Sequence, residues 1–345
     1  TGLGPLYNAL SCEQCHVNDG RGRPPSGADV EVTGAVLRFA TAFSTYGAQL
    51  QDHAIQGHEP EGDLSLSAIA GHGADEPISI PMWKVGRNRY GPFPTQSSIV
   101  VAPPMIGLGL LAAIPEIALR SRADPDDANG DGISGKLGAG RFGWRATAES
   151  IVYQTAHAFA HDMGVSNRLF PDAWGDCTSL QRACRDGAGD GIEASDEIVT
   201  LVANYVANLG PPERPNAGAP DVLAGRSVFY EIGCAGCHTP MQDTDSHALV
   251  WFSNQRIWPY SDLLLHDMGD ALADGGGREW RTPPLWGLGR HKAVNGNAYF
   301  LHDGRAGSIL QAILWHGGEA AAARDAVKAL PTDRRASLLA FLNSL

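Results

Sequence analysis

Two five-residue segments share a pattern that could attach haem covalently. They are Cys12-Glu13-Gln14-Cys15-His16 and Cys234-Ala235-Gly236-Cys237-His238. In the pattern Cys-x-x-Cys-His, both thiols add to the vinyl groups of haem and the histidine becomes the proximal iron ligand. With six cysteines and twelve histidines among 345 residues, random placement would give roughly 0.004 such segments per chain. The sequence therefore predicts two covalently bound haem c groups, with His16 and His238 on the irons.

A Cys-x-x-Cys pair also occurs in zinc knuckles and in thioredoxin-like redox proteins. A tetrahedral zinc site would need two more ligands for each pair, or both pairs on one metal ion. Because a histidine directly follows the second cysteine in both segments, the pattern favours haem.

The two remaining cysteines, Cys177 and Cys184, lie seven residues apart in a segment typical of a loop. They predict a disulfide, which would agree with an exported protein, because disulfides persist in oxidising compartments. Two free buried thiols are the alternative, and the sequence does not decide between them.

The elements that must position these groups occur twice along the chain. Each Cys-x-x-Cys-His segment precedes a Pro-Pro segment, then a short Arg-Ala segment, then a closing segment with apolar residues at helical spacing. Each closing segment begins with Ser-Asp or Thr-Asp, which favours a helix start. The paired segments are 102–109 and 282–289, 144–146 and 304–306, and 195–209 and 332–345. The pattern predicts a mainly α fold with two cytochrome c-like haem domains in tandem.

A proline-rich segment separates the two halves. Four prolines fall within residues 210–220, which indicates a linker, since proline disfavours helix interiors. We expect an N-terminal domain over residues 1–210, a linker over 211–220 and a C-terminal domain over 221–345. The first half is longer by about 40 residues between its haem segment and its Pro-Pro segment. Alternation over Pro77–Val85 predicts a small β-hairpin in this insert.

Net charge and the distribution of apolar residues limit the binding partners and the cellular location that we expect. The formal net charge of −12 argues against nucleic acid or an anionic membrane surface and leaves a basic or neutral partner open; the acidity could also serve solubility alone. No run of 18 apolar residues is present, so no transmembrane segment is predicted. Because the chain opens only eleven residues before the first haem cysteine, we expect an export signal outside this sequence and a periplasmic location.

A calcium loop is a further possibility. Asp127, Asn129 and Asp131 place oxygen ligands at positions one, three and five of an EF-hand-like loop, with the Ile133 carbonyl at position seven. Position twelve is Gly138 instead of glutamate, so other groups would have to complete the site. An Asx-rich turn without metal is the alternative.

The chain resembles the di-haem oxidoreductase family, whose members have provisional descriptions as thiol oxidoreductases or di-haem peroxidases. That family is distantly related to bacterial di-haem cytochrome c peroxidases and MauG-type enzymes. The resemblance covers segments 3–9, 49–52, 102–109, 124–135, 260–269, 278–289, 300–306 and 313–319. It is specific for the family and much weaker evidence for an activity. Because related peroxidases hold calcium near their haems, the resemblance also strengthens the prediction of a calcium loop.

The resemblance also implies a distal ligand for the second haem. In related peroxidases, the ligand lies fourteen residues after the histidine of a Tyr/Phe-x-His-Asp-Gly segment, and counting from His302 leads to His316. Two imidazoles would give a six-coordinate haem suited to electron transfer. The alternative for His316 is a helix-end histidine that interacts with the helix dipole. His302 is expected to support the haem or one of its propionates.

The internal repeat predicts that the first haem differs. Aligning Ile151 with Ile309 puts Ala158 opposite His316, and alanine cannot bind iron. The first haem is therefore expected to be open and reactive. His157 or His161 could still act as a distal ligand or acid-base group, or either could be an ordinary core or surface histidine.

Two features of a peroxidase are not assigned by the sequence. Related peroxidases have a distal glutamate at the position that aligns with Val152, so Glu149, Glu116 or His161 would have to move the proton instead. A tryptophan could shorten the electron path between the haems. The candidates are Trp83, Trp144, Trp251 and Trp258.

These expectations support a periplasmic, peroxidase-like di-haem oxidoreductase. It would use a small oxidant such as peroxide or oxygen and exchange electrons with a redox protein or a small donor. The alternatives are a non-catalytic di-haem electron carrier and a redox accessory protein for metal uptake. A dioxygenase acting on an apolar polymer or lipid is more remote.

Overall fold

A computed structural model describes residues 3–23, 34–43, 45–70, 79–186, 188–189, 191–296 and 298–345. Its α-helices are α1 (Cys12–Cys15), α2 (Leu108–Ala112), α3 (Glu116–Arg120), α4 (Ile151–Asp162), α5 (Arg182–Asp186), α6 (Asp196–Ala207), α7 (Pro220–Glu231), α8 (His291–Asn295), α9 (Ile309–Leu314), α10 (Ala321–Ala329) and α11 (Thr332–Asn343). Its strands are β1 (Leu6–Tyr7), β2 (Ala35–Phe43), β3 (Gly47–Gln49), β4 (His53–Ala54), β5 (Asp63–Ala70), β6 (Ser79–Gly86), β7 (Ser97–Val101), β8 (Gln242–Asp243), β9 (Arg256–Ile257), β10 (Leu265–Asp267) and β11 (Glu279–Arg281).

The insert of the first half contains more β-structure than one hairpin. Strands β5 and β6 form an antiparallel hairpin, and β6 matches the predicted strand except for residues 77 and 78, which lie outside the described residues. A separate antiparallel sheet has the order β3-β2-β7 and buries Leu37, Tyr46 and Val101 in one core. The described residues are about 33% helical and 14% strand, so helices predominate but the fold is mixed.

Helices α7 and α11 form the core of the second half. Phe229 on α7 packs against Phe341 on α11 with ring centroids 5.3 Å apart. Gly225 allows this approach, because a Cβ there would lie 1.8 Å from the Ser337 carbonyl oxygen. Helix α7 begins with Pro220 at its first turn, where proline is favourable. It ends just before the second haem segment, which it therefore positions.

The first haem segment is positioned by α4. The backbone N–H groups of Asn8 and Ala9 donate to the Asp162 carbonyl at the end of α4, at 2.8 and 3.0 Å. In both haem segments the histidine N–H donates to the carbonyl of the first cysteine, at 2.7 Å for His16 and 3.0 Å for His238. The two segments therefore share a local backbone conformation.

The Pro-Pro segments are also equivalent. Gly107 and Gly287 have φ values of 74° and 76°, which glycine adopts at low cost. The Gly107 N–H donates to the Leu209 carbonyl oxygen and the Gly287 N–H donates to the Leu345 carbonyl oxygen, both at 2.6 Å. Leu209 and Leu345 each follow the closing helix of their half.

One predicted correspondence is wrong by two residues. Isolated bridges pair Phe142 with Ala148 and Phe300 with Ala306, and left-handed backbone occurs in each turn at Gly143 and Ala146 and at Leu301 and Gly304. Trp144 therefore corresponds to His302, and Trp144-Arg145-Ala146 does not correspond to Gly304-Arg305-Ala306. The equivalent residues are defined by the backbone conformation of the two turns and not by the Arg-Ala dipeptide that both segments contain.

Within the described part of the chain, no helix combines the length and the apolar character needed to cross a membrane.

Candidate functional site

Each half contains a large cavity beside its Cys-x-x-Cys-His segment. The N-terminal cavity, about 350 Å³, is lined by Cys12, Cys15 and His16. The C-terminal cavity, about 380 Å³, is lined by Cys234, Cys237 and His238. These volumes are in the range of cofactor pockets. The structure thus brings both predicted sets of attachment residues to the walls of cofactor-sized cavities.

The two predicted proximal histidines are oriented in the same way. His16 Nδ1 lies 3.2 Å from the Gly20 carbonyl oxygen, and His238 Nδ1 lies 3.0 Å from that of Tyr260. A carbonyl can only accept, so Nδ1 holds the proton and Nε2 has the free lone pair that a metal requires. Burial lowers the pKa of His16. Burial and then the nearby His316 lower the pKa of His238 to about 4. Both rings are therefore neutral, as ligands must be.

His316 is oriented like the two predicted proximal histidines, with Nδ1 bonded to a backbone carbonyl and Nε2 free to bind a metal. It lines the C-terminal cavity, and its Nδ1 donates to the Ala312 carbonyl oxygen at 2.7 Å. Burial lowers its pKa. Two neutral imidazoles with free Nε2 atoms thus line one cavity, and these residues fit a haem with two histidine ligands.

The four haem-segment cysteines are free thiols, while Cys177 and Cys184 form a disulfide. Burial, with a smaller effect from Asp162, raises the pKa of Cys15 to about 12, and burial raises that of Cys234 to about 12. The cysteines needed for thioether bonds are therefore available. The structure also contains the predicted disulfide.

Helices α4 and α9 begin in the same way. The hydroxyl of Ser150 accepts from the Tyr153 N–H at 3.1 Å, and that of Ser308 accepts from the Gln311 N–H at 3.0 Å. The two serines have nearly identical backbone angles. Counting from these caps confirms that Ala158 corresponds to His316. Ala158 lines the N-terminal cavity.

The structure does not bring His157 and His161 to that cavity. Their ring centroids lie 4.2 Å apart, and Phe170 makes a T-shaped contact with each ring. His161 Nδ1 is 2.7 Å from Asp176 Oδ1, and burial lowers the pKa of His157 to about 3. The described residues that line the cavity do not include either histidine.

The glutamates proposed for proton transfer are also elsewhere. Glu149 and Glu116 are exposed, Glu116 is paired with Arg120, and the described lining residues include neither. Val152, the position of the glutamate in relatives, is 42% exposed.

Asp162 is the only carboxylate among the described residues that line the N-terminal cavity. Gln154, Ala158 and Asp162 are spaced by four along α4, so they share one face of the helix. Gln49 Nε2 donates to Asp162 Oδ1 at 3.0 Å and fixes the carboxylate. Sequence reasoning missed Asp162, although its spacing from Ala158 was visible.

In the predicted calcium loop, residues 127–133, the side chains accept hydrogen bonds from the backbone of the same loop. Asn129 Oδ1 accepts from the Asp131 N–H at 2.8 Å, and Asp131 Oδ1 accepts from the Ile133 N–H at 2.9 Å. Both Asp127 carboxylate oxygens lie 3.2 Å from the Gly132 nitrogen. No group of three or more His, Cys, Asp or Glu residues suited to a metal ion occurs in the described ranges. Calcium therefore stays a prediction.

His302 and Trp144 connect the cavities to their surroundings. His302 lines the C-terminal cavity and stacks on Trp280 with centroids 3.7 Å apart. Trp144 lines both cavities, and its Nε1 donates to the Val101 carbonyl oxygen at 2.7 Å. Trp251 and Trp258 are 53% and 52% exposed and line neither cavity. The Trp83 side chain lies outside the described residues.

A sequence model of one family, described as "Di-haem oxidoreductase, putative peroxidase", matches residues 97–345. The matched region includes α4, the second haem segment and His316, whereas the first haem segment lies before it. No curated protein and no solved structure matches the chain.

Proposed function

Because the chain belongs to the di-haem oxidoreductase family, we propose that it is an exported c-type oxidoreductase with peroxidase-like chemistry. The N-terminal cavity would hold an open haem that admits peroxide or oxygen. The C-terminal cavity would hold a bis-histidine haem that relays electrons. When bound, haem would supply one-electron chemistry and could bind a small oxidant.

The difference between Ala158 and His316 is the main support for this proposal. Both residues follow equivalent serine caps and line the cavity of their own half. His316 would offer an imidazole to a haem in the C-terminal cavity, whereas the methyl group of Ala158 would offer no ligand to a haem in the N-terminal cavity. This difference supports an open first site and a closed second site.

Asp162 is our candidate for moving the proton during reaction with peroxide. Its carboxylate lies on the same helical face as Ala158 and lines the N-terminal cavity, and Gln49 holds it in place. Gln154, one turn before Ala158, can offer its amide to a bound oxidant. Asp162 would therefore replace the glutamate that relatives place at the position of Val152.

Electrons would pass between the sites through Trp144, which lines both cavities. The net charge of −12 favours a basic or neutral redox partner. Covalent haem segments and the Cys177–Cys184 disulfide support an oxidising compartment such as the periplasm.

Turnover with peroxide tests this proposal directly. The haem-loaded protein, with its second haem reduced, should consume peroxide and oxidise a small electron donor. A158H should abolish turnover while both haems remain covalently attached, because the new imidazole would close the open position. Absence of turnover in the wild type at every redox state, or full turnover in A158H, would refute the proposal.

Two methionines favour a second candidate function, that of a non-catalytic electron carrier. Met105 and Met163 both line the N-terminal cavity, and either thioether could ligate the first haem. A ferric charge-transfer band typical of methionine ligation, lost in M105L or M163L, would support the carrier. Absence of this band in the wild-type protein would support an open first haem.

A further inference from the structure

We propose that Arg281 binds haem propionates in both cavities, and that Arg21 does so in the C-terminal cavity alone. This inference rests on the proposed function only in that each cavity holds a haem.

Arg281 lies at the boundary between the two cavities. It is the last residue of β11 and lines both cavities, yet its relative exposure is only 6%. Its backbone N–H donates to the Trp144 carbonyl oxygen at 2.9 Å, and its Nε donates to that of Gly143 at 2.7 Å. The first half of the chain therefore fixes the stem of this side chain.

The guanidinium end of Arg281 is incompletely paired. Its Nη1 has no hydrogen-bond partner among the described residues. Arg21 is similar, since it is 3% exposed and lines the C-terminal cavity. Its Nη2 donates to the Leu301 carbonyl oxygen at 2.6 Å, but its Nε has no hydrogen-bond partner among the described residues. Burial lowers the pKa of each to about 10, so both are charged at neutral pH.

The nearest carboxylates already have other partners. Asp262 interacts electrostatically with Arg281, but its Oδ2 lies 2.9 Å from His266 Nε2. Asp303 acts in the same way on Arg21, but its Oδ2 accepts from Arg305 Nε at 2.7 Å. A buried cation is costly unless its hydrogen-bond donors are paired, so a carboxylate on a ligand in the cavity would complete the pairing of each guanidinium.

Haem has two propionates, and carboxylates are the groups that a planar guanidinium binds most specifically. The repeat shows why one arginine would serve two sites. Gly107 and Gly287 are equivalent, and the residue six positions before each is Val101 and Arg281, respectively. The first half thus has an apolar residue where the second has a cation. Arg281 extends to the N-terminal cavity and adds a buried cation there, beside Arg38 and the Asp274-paired Arg145.

Spectroelectrochemical titration of the haem-loaded protein tests this inference, since the two haems can be followed by their different spectra. Loss of a nearby positive charge stabilises ferric haem, so R281Q should lower both reduction potentials. R21Q should lower only that of the second haem. R281K should stay near the wild type, and R256Q, which removes an exposed arginine paired with Asp243, should leave both potentials unchanged.

Propionate-bending bands in resonance Raman spectra provide a direct second measurement. They should move for both haems in R281Q and for one haem in R21Q. An R281Q protein in which either haem keeps its potential and band would overturn the shared site. If R281Q does not fold, a first-haem change in R21Q, or no change at all, would overturn it. A haem content other than two per chain would instead refute the proposed function.

Discussion

Ala158 and His316 occupy equivalent positions in the two halves of the chain. Each is the eighth residue after a serine whose hydroxyl caps a helix, and each lines the cavity of its own half. Helix α4 continues past Ala158 to Asp162, whereas α9 stops at Leu314 before His316. The two cavities therefore have the same frame but differ in the group presented to a bound iron.

Exchanging these two side chains should exchange the states of the haems. We expect H316A to convert the second ferric haem from low spin to high spin, because the alanine side chain cannot bind iron. A158H should convert the first haem to low spin. Optical and electron paramagnetic resonance spectra measure both changes, and an unaltered spectrum in H316A would refute His316 as a ligand.

Replacing Asp162 should slow the reaction with peroxide. D162N keeps the shape of the side chain but cannot take up a proton, and loss of general acid-base catalysis typically costs roughly 10²- to 10⁴-fold in rate. Stopped-flow mixing with peroxide measures this rate. E116Q is the matched control, since Glu116 is exposed and paired with Arg120. Equal rates in D162N and the wild type would eliminate Asp162.

Trp144 should be needed for rapid electron transfer between the haems. W144F keeps an aromatic ring but removes the indole that lines both cavities and its hydrogen bond to Val101. After photoreduction of one haem, equilibration with the other should be slower in W144F than in W251F, in which an exposed indole is replaced. Equal rates would remove Trp144 from the path.

His266 should make stability fall at alkaline pH. Its Nε2 lies 2.9 Å from Asp262 and its Nδ1 lies 2.7 Å from Glu319, so both ring nitrogens must donate and the ring is an imidazolium. Burial opposes this charge, but hydrogen bonds to Asp262 and Cys237 raise the pKa of His266 to about 11. The resulting stabilisation is complete below about pH 6.5, the ordinary pKa of histidine, and is lost as pH rises toward 11.

Urea unfolding between pH 6 and 11 measures this slope. Haem attachment would remove the contribution of the Cys237 thiol to the pKa of His266. In the holoprotein, the pH at which half of this stabilisation is lost should therefore lie between 6.5 and 11. H266Q should flatten the slope and lower the free energy of unfolding by about 3–5 kcal/mol, because the buried Asp262 and the half-buried Glu319 lose their cation. H247Q, at an exposed position, should behave as the wild type. A steep slope that persists in H266Q would contradict this assignment.

Local patterns predicted much of the candidate site. The cysteines and histidines of the haem segments are close in sequence, so their proximity to each other needs no knowledge of the fold. The correspondence of Ala158 with His316 also depended on local features, because each helix start is set by a serine and the residues after it. The structure places these residues at the cavities and at equivalent helix positions, and their binding of haem stays a prediction.

The remaining residues depend on tertiary structure. His161 is three positions from Ala158, but the turn of the helix directs it to Asp176 and away from the cavity. Arg281 reaches the first half only because β11 places it against Gly143 and Trp144. Trp144 corresponds to His302 through left-handed turns that the letters do not show.

The electron paramagnetic resonance spectrum of the ferric wild-type protein, with and without cyanide, tests the asymmetry of the two sites most directly. We predict one high-spin and one low-spin haem per chain, with cyanide converting only the high-spin signal. Reduction of the second haem by one electron should leave the first haem able to bind cyanide. Two low-spin haems that ignore cyanide in both redox states would contradict an open site beside Ala158.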